Sequence, residues 1–221
     1  MNLNVSKQTI KSLDLKLPLY TLSEEIMNST THGLGVIFSL VALVFLILKN
    51  INSARNIVCV SIYGTTMVVL YLISTLYHAL KPCVAKAVFR KLDHCSIFLL
   101  IAGTYTPLCA IYIKSRFSLV VLIAVWLAAA IGIVLNAIDV NKFSKVSLAC
   151  YIVMGWSVIF IIKPVAQSLD KFQMNFLIAG GIVYTVGAIL YVVGKKVRYI
   201  HSIWHLFVLA GSVLHFFVIY G

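Results

Sequence analysis

The stretch Gly33–Leu48 reads GLGVIFSLVALVFLIL and contains a single polar side chain, that of Ser39. About 20 apolar residues in a helix cross the hydrocarbon core of a bilayer, and in lipid the backbone groups must pair within the segment. This stretch is therefore predicted to be a transmembrane helix. Similar apolar runs follow it along the chain, and together they predict seven spans at about residues 30–49, 56–78, 94–113, 117–138, 146–163, 174–194 and 200–220.

The composition of the whole chain agrees with a bundle of membrane helices. Of its 221 residues, 62% are hydrophobic and 11% are charged, and the mean hydropathy is +1.03. A soluble domain has about 25% charged residues and cannot bury so much apolar surface. We therefore predict an all-α fold with a polar N-terminal tail at residues 1–20 and one seven-helix transmembrane domain at 21–221. The short connections favour antiparallel neighbouring helices.

The formal net charge of +12 indicates an orientation in the membrane. With the N-terminus inside, the inner connections carry twice as many Lys and Arg residues as the outer ones, Lys86 among them. The positive-inside rule therefore predicts a cytoplasmic N-terminus and an outer C-terminus. Bases in short loops suit anionic lipid heads, so we expect membrane lipids as partners and predict neither nucleic acid nor a soluble partner. No signal peptide is expected, and the chain is expected to be a multi-pass protein of the plasma (cell) membrane.

Ionisable side chains in or beside the spans need a reason, because each costs about 2.5–3.5 kcal/mol at mid-depth. The predicted topology brings several of them to the same cytoplasmic depth. The second span ends at His78, the third begins at Asp93, and the seventh begins with His201 and His205. His201 and His205 are four residues apart and so share one helix face. Ser74 lies one turn deeper than His78 on the same face.

Three imidazoles with an open fourth position are typical of catalytic zinc. We therefore predict a Zn²⁺ site at His78, His201 and His205. Asp93 would orient a ligand, act as a general base or serve as a fourth ligand. The alternative is that the histidines lie at the interface and contact lipid phosphates. The HExxH motif of zinc proteases is absent, because Ser202 occupies the position of its glutamate.

Four further polar residues lie on or near one stripe of the first helix, namely Glu24, Glu25, Asn28 and His32. They would cap that helix, line the cytoplasmic mouth or support the histidines. His94 is another candidate supporting residue because it follows Asp93. His215 lies about 15 Å beyond His205 along the helix and is assigned to packing or hydrogen bonding in the outer half. Pro107 is expected to kink the third span.

At these residues the chain resembles the bacterial hemolysin III proteins. The resemblance covers residues 20 to 221 and rests on motifs that occur in the same order. They are YTLSEEIMNSTTHG at 20–33, Ser74-x-x-x-His78, Asp93-His94, IAGTYTP at 101–107 and His201-x-x-x-His205. Hemolysin III proteins group with the progestin and adipoQ receptors, and they share a Ser/Asp/three-His pattern with alkaline ceramidases.

The resemblance implies seven helices with an inward N-terminus and zinc held by His78, His201 and His205. It also implies that Asp93 lies close to the metal's water, with Ser74 nearby. For the bacterial branch it implies a role in membrane energetics and fluidity, and the family name implies cytolysis. Hydrolysis of lipid amides is a proposal for the superfamily, and retention of the motifs does not by itself imply turnover.

Three functions are therefore compared. In the first, the protein is a zinc-dependent hydrolase of a lipid amide or ester, with Asp93 moving the proton and Ser74 donating to the developing oxyanion. In the second, it senses or regulates the state of the membrane, and the metal joins the helices as a structural element. In the third, it is a pore-forming cytolysin. The sequence supports the third poorly, because a secreted toxin needs export and a soluble form.

Overall fold

The computed structural model describes residues 17–113, 115–194 and 197–221. Over these ranges the regular structure is helical and no strand occurs. In the described part of the chain, seven helices are long and apolar enough to cross a membrane, as predicted. They are α1 Leu22–Lys49, α2 Ala54–Ala79, α3 Val84–Ile113, α4 Arg116–Asp139, α5 Ser144–Ser168, α6 Lys171–Gly194 and α7 Ile200–Tyr220. Most of the predicted tail, residues 1–16, lies outside the described ranges.

The first helix begins at Leu22 rather than near residue 30, because a capping box starts it. Thr21 is the N-cap: its hydroxyl accepts from the backbone N–H of Glu24, and the Glu24 side chain accepts from the N–H of Thr21. Such reciprocal capping stabilises the first turn whatever the hydropathy of the residues that follow. The predicted polar stripe therefore lies within a continuous 28-residue helix.

The third helix also begins earlier than predicted, at Val84 rather than near residue 94. The cysteine at position 83 caps it, with its sulfur accepting from the backbone N–H of Lys86. The assignment of Lys86 to an inner connection was therefore wrong: this lysine lies within α3 and is 1% exposed. Without Lys86, the inner connections still carry more Lys and Arg residues than the outer ones. The predicted orientation is therefore unchanged.

The irregularity expected at Pro107 is a widened turn. The chain is α-helical as far as Pro107 and continues as a π-helix at Leu108–Ile113. Proline lacks an N–H and its ring clashes with the preceding turn, so a change of helical type at this point is expected. α5 is also irregular, because a 3-10 segment at Ser157–Ile161 interrupts it.

The helices differ in how much of each is buried by protein. In the most apolar window of α3, 67% of the residues are buried, and in that of α2, 50% are buried. The same share is 17% for both α5 and α6. α2 and α3 therefore form the centre of the bundle, and the large exposed apolar side chains of the outer helices suit contact with lipid.

Candidate metal centre

Three histidines meet at one end of the bundle. His78 lies in the last turn of α2, and His201 and His205 lie in the first two turns of α7. One ligand atom from each lies within 4.8 Å of the others. His78 and His205 are buried, whereas His201 is partly exposed with a buried Nε2. The centroids of the His201 and His205 rings are 4.8 Å apart, as expected for residues four apart on a helix. The predicted convergence of these three histidines is confirmed.

The nitrogens that face the centre have no partner in the described part of the chain. The Nε2 atoms of His78, His201 and His205 are all buried without a hydrogen bond. The Nδ1 of His78 lies 2.7 Å from Glu25 Oε2, and the Nδ1 of His205 lies 3.3 Å from the backbone oxygen of Asn28. A neutral imidazole that donates from Nδ1 keeps a lone pair on Nε2. His78 and His205 are therefore oriented to present Nε2 lone pairs.

This donor set fits a zinc ion. Zinc binds imidazole nitrogen at about 2.0–2.1 Å, which places tetrahedral ligand atoms about 3.4 Å apart. Atoms that already lie within 4.8 Å of one another need to move by only about 1 Å to reach that spacing. Three buried lone pairs without partners also carry a large desolvation cost, which a bound cation removes. His78, His201 and His205 can therefore hold the metal.

Glu25 and Lys86 support the ligand on α2. Glu25 accepts from His78 through Oε2 and from Lys86 through Oε1, at 2.8 Å. The Lys86 ammonium also donates to the backbone oxygens of Tyr77, at 3.0 Å, and Leu80, at 2.8 Å, where α2 ends. The Lys86 ammonium thus neutralises the Glu25 carboxylate that faces His78. It also binds backbone carbonyl groups that the end of α2 leaves without a partner in the helix. Both residues lock the orientation of His78.

Asn28 and His32 extend this support from α1 to α7. Asn28 is fully buried, and its side-chain oxygen accepts from the Ser202 hydroxyl at 2.6 Å. The ring of His32 stacks on that of His205, with centroids 3.7 Å apart and an angle of 13° between planes. Glu25, Asn28 and His32 therefore contact the histidines or their neighbours. This placement agrees with the alternative in which the stripe supports the histidines.

The fourth residue of the stripe, Glu24, has the other two predicted roles: it caps the first helix and lines the mouth of the site. It caps α1, and its Oε1 accepts from the backbone N–H of Tyr199 at 3.1 Å. Tyr199 precedes α7 and has a left-handed backbone, with φ of 63°. Glu24 also lines the mouth of the site. It thereby joins the start of α7, which carries two histidines, to the start of α1.

Asp93 and Ser74 lie beside the cluster rather than in it. Asp93 is 8% exposed, and the set of ligand atoms identified among the described residues does not include it. Ser74 is 1% exposed and neighbours the Asp93 carboxylate, although its hydroxyl makes no hydrogen bond of ordinary length within the described ranges. This placement favours a role for Asp93 as a general base rather than as a fourth metal ligand.

Two cavities meet at this site. The larger, of about 750 Å³, is the more polar of the two, and its walls include Glu24, Arg90, Arg198 and His201 together with residues 17–21. The smaller, of about 150 Å³, is almost entirely apolar and runs within the bundle from the level of Asp93 to that of His215. Asp93, His94, Tyr191 and Trp204 line both cavities. We refer to them as the polar vestibule and the apolar cavity.

The remaining predicted histidines lie apart from the metal ligands. His94 is in the wall of both cavities, and its backbone oxygen accepts from the Tyr151 hydroxyl at 2.7 Å. His215 lines the apolar cavity, and its Nε2 lies 3.4 Å from the backbone oxygen of Leu177. Its position outside the cluster agrees with the prediction of a separate packing or hydrogen-bonding role.

Sequence reasoning missed three residues of the site. Lys86 was counted only as a loop charge, and Trp204 and Tyr20 were given no role in the site. The Trp204 ring packs against His201 and His205. The Tyr20 ring contacts His201, with centroids 5.0 Å apart, and burial raises the pKa of its hydroxyl above the usual range. Only Tyr20 gave a signal, because it begins YTLSEEIMNSTTHG, the first motif of the family resemblance.

Fold and site together define a multi-pass membrane protein with a three-histidine centre at one end of a seven-helix bundle. A family model described as Haemolysin-III related matches residues 20–216. Hemolysin-3 of Bacillus cereus is 42% identical over 198 residues, which cover 89% of this chain and 90% of that protein. The Hemolysin-3 homolog of Bacillus subtilis (strain 168) is 43% identical over 203 residues, or 91% and 95% of the two chains.

A more distant relative is the Monocyte to macrophage differentiation factor of Homo sapiens, at 26% identity over 166 residues, 72% of this chain and 68% of that protein. The chain belongs to the Haemolysin-III related family, and the resemblance drawn from its motifs is confirmed. The seven apolar helices of the described residues and the bacterial relatives together indicate a bacterial membrane protein.

Proposed function

We propose that this protein hydrolyses an amide or ester of a membrane lipid at a zinc ion held by His78, His201 and His205. It would lie in the bacterial cell membrane, with the site on the cytoplasmic side, and would act in membrane lipid homeostasis. One observation supports this function above the others. His201 lines the polar vestibule, and Trp204, whose ring packs against His201 and His205, lines both the vestibule and the apolar cavity together with Asp93.

That junction suits an amphiphile better than a small soluble molecule. A lipid has a polar head that fits a vestibule lined by charged and hydroxyl groups, and an apolar chain that fits a cavity within the bundle. The bond between head and chain would then lie beside Asp93, His201 and Trp204. A metal that serves only as a structural element is expected to be closed off by its ligands, whereas here the ligand His201 lines the vestibule.

The residues of the chain would divide the chemistry between them. Zinc bound here would supply Lewis acidity toward a carbonyl and make a water molecule acidic enough to react at neutral pH. Asp93 would accept the proton of that water and return it to the departing amine or alcohol. The buried Ser74 hydroxyl would donate a hydrogen bond to the carbonyl oxygen as negative charge develops there. Glu25 and Asn28 would hold the histidines in orientation.

The test is release of free fatty acid from a panel of lipid amides and esters by purified protein in lipid nanodiscs. We expect turnover that stops on chelation, returns with Zn²⁺, and is lost in Asp93→Asn while the zinc content is retained. Asn141→Ala is a matched control, because this residue lines the vestibule and its hydrogen bonds go to Arg90, Asp139 and Ser144 rather than to a histidine. Zinc-loaded protein that releases no fatty acid across the panel would contradict the proposal.

A second function, a regulator of membrane state with a structural metal, is favoured by one different observation. The cluster joins α2 to α7, and α1 supports both through Glu25 and Asn28. In this case Asp93→Asn would leave the cellular response to membrane perturbation unchanged, whereas removal of either α7 histidine would lower stability and abolish the response. The relatives named Hemolysin-3 raise cytolysis as a third candidate, for which the test is lysis of erythrocytes by the purified protein.

A further inference from the structure

The ligand atoms of the metal centre are closed off from the cavities beside them. The Nε2 atoms of His78, His201 and His205 are all buried. His201 is the ligand that lines the polar vestibule, and the described walls of the apolar cavity include none of the three. Moving a cation out of water into apolar surroundings is very unfavourable, so an ion is expected to reach these ligands through the vestibule. A group at the vestibule wall must therefore move to admit it.

The Tyr20 ring covers the metal centre at this wall. The centroid of the ring lies 5.0 Å from that of His201 and 5.7 Å from that of His78. Tyr20 lines the vestibule whereas the buried His78 does not, so the Tyr20 ring covers His78 on the vestibule side.

Among the described rings that contact the ligands from other positions, that of Tyr20 alone belongs to a residue outside a helix. The others lie within helices, and they are those of His32, Tyr77, Tyr191 and Trp204. A ring on a helix can withdraw only if the helix shifts or its side chain finds another rotamer in a packed site. Tyr20 is therefore the group that can uncover the ligands at the smallest cost.

The backbone beside Tyr20 allows its ring to move while the helices stay in place. Residues 17–21 have no regular secondary structure, and they line the vestibule. α1 is held directly after them by the capping box between Thr21 and Glu24, and Glu24 also accepts from the backbone N–H of Tyr199 ahead of α7. A rotation of the backbone before Thr21 would carry the Tyr20 ring into the vestibule without breaking these bonds. The vestibule, of about 750 Å³, has room for the ring.

We propose that Tyr20 is a gate between the polar vestibule and the metal centre, and that its ring leaves His201 and His78 when a zinc ion enters or departs. The inference rests on the metal site of the proposed function and does not depend on hydrolysis. One aromatic contact shifts an equilibrium by about 2- to 12-fold, so two contacts favour the closed gate by about 5- to 150-fold. A gate that closes over the empty and the loaded centre alike slows entry and departure by the same factor, and the affinity is unchanged.

The test measures the rates at which zinc enters and leaves the protein in lipid nanodiscs. Release from loaded protein into an excess of chelator, and uptake by metal-free protein, are each followed with a zinc-sensitive dye. In Tyr20→Ala both rates should rise by about 5- to 150-fold, while the dissociation constant stays within about 3-fold of wild type. In Tyr20→Phe, which keeps the ring, both rates should stay within about 2-fold of wild type.

Two further variants make the result specific. Leu19→Ala is the matched control, because Leu19 lies in the same segment, lines the vestibule and is 48% exposed. Both rates should be unchanged in this variant. Tyr20→Leu keeps an apolar side chain without the aromatic ring and should also raise both rates, so it serves if Tyr20→Ala does not fold. The unfolding midpoint of each variant is measured in parallel.

The outcomes separate the gate from the proposed function. Equal rates in wild type and Tyr20→Ala, an equal rise in Leu19→Ala, or faster release with unchanged uptake would overturn the gate and leave the metal centre in place. Protein that takes up no zinc would overturn the gate and the metal centre together. Rates that rise with the loss of the Tyr20 ring, in protein that hydrolyses nothing, would uphold the gate and contradict the hydrolase.

Discussion

Two buried polar clusters in the bundle, one of hydroxyl groups and one of imidazoles, differ in whether their own members complete one another's hydrogen bonds. In the deep cluster, Ser212 Oγ lies 2.7 Å from the Tyr71 hydroxyl and 2.8 Å from that of Tyr184, so that α2, α6 and α7 are joined by hydrogen bonds. In the metal centre, the Nε2 atoms of His78, His201 and His205 have no partner within the described ranges. The first cluster completes its own hydrogen bonds and the second does not.

This difference separates a role in stability from a role in binding. A polar network whose groups are all satisfied stabilises and specifies the packing of the helices. A network with groups left unsatisfied costs free energy unless something from outside the chain completes it. Their place in the fold alone does not distinguish them, because both clusters join α2 to α7. The predictions below change one cluster and use the other as the reference.

The largest effect is expected from the double substitution His201→Ala/His205→Ala. It removes two of three ligands, so zinc should fall from about one ion per chain to background in elemental analysis. Added Zn²⁺ should then no longer raise the unfolding midpoint, whereas metal at about 1,000 times its dissociation constant stabilises the wild-type protein by about 4 kcal/mol. Tyr184→Phe, in the deep cluster, should keep both the metal and its stabilising effect. Retention of zinc by the double variant would contradict the site.

Asp93→Asn should separate chemistry from structure. The amide cannot accept a proton, so we expect fatty acid release to fall by about 10²–10⁴-fold, the usual contribution of a general base. Zinc content and unfolding midpoint should remain close to wild type, because Asp93 lies outside the ligand set. A loss of zinc equal to that of the histidine variants would instead make Asp93 a ligand.

Glu25→Gln should weaken the metal site without abolishing it. Groups that orient a ligand typically contribute 10–100-fold to metal affinity, and Glu25 lies 2.7 Å from His78 Nδ1. The dissociation constant for zinc, measured by competition with a chelator, should therefore rise by about that factor, with one ion still bound at saturation. The substitution also leaves the buried Lys86 without its counter-ion, so Lys86→Met/Glu25→Gln is the control for that charge.

Ser212→Ala should have the smallest effect and the opposite pattern. It removes the group shared by two tyrosine hydroxyls, one of which also lies 3.3 Å from the Val208 backbone oxygen. We expect a loss of about 1–2 kcal/mol of stability and no change in zinc affinity. A change in zinc affinity without a change in stability would contradict the claim that the deep cluster serves stability and the metal centre serves binding.

The fold was largely predictable from the sequence because lipid imposes a simple rule on length and polarity. All seven spans were predicted, and the errors lie at helix ends. α1 begins at Leu22 and α3 at Val84, each several residues before its apolar run. Hydropathy reports where a chain contacts lipid, whereas caps such as Thr21 decide where the helical hydrogen bonds begin.

The site was predictable where one helix or the topology brought residues together. The spacing of His201 and His205 and the antiparallel order of α2 and α7 sufficed for the three histidines. The partners of Lys86 were not predictable, because its pairing with Glu25 joins residues 61 apart in sequence and no local pattern encodes it. The stacking of His32 on His205 likewise depends on the packing of α1 against α7.

The most direct test of the central claim is X-ray absorption spectroscopy at the zinc edge on the purified wild-type protein in nanodiscs. We expect one zinc ion with three imidazole nitrogens at about 2.0–2.1 Å and one light-atom ligand at the open position. The five cysteines are free, so sulfur ligation would be visible as a shell at about 2.3 Å. Protein that binds no zinc, or binds it through sulfur, would contradict the three-histidine centre and the function proposed from it.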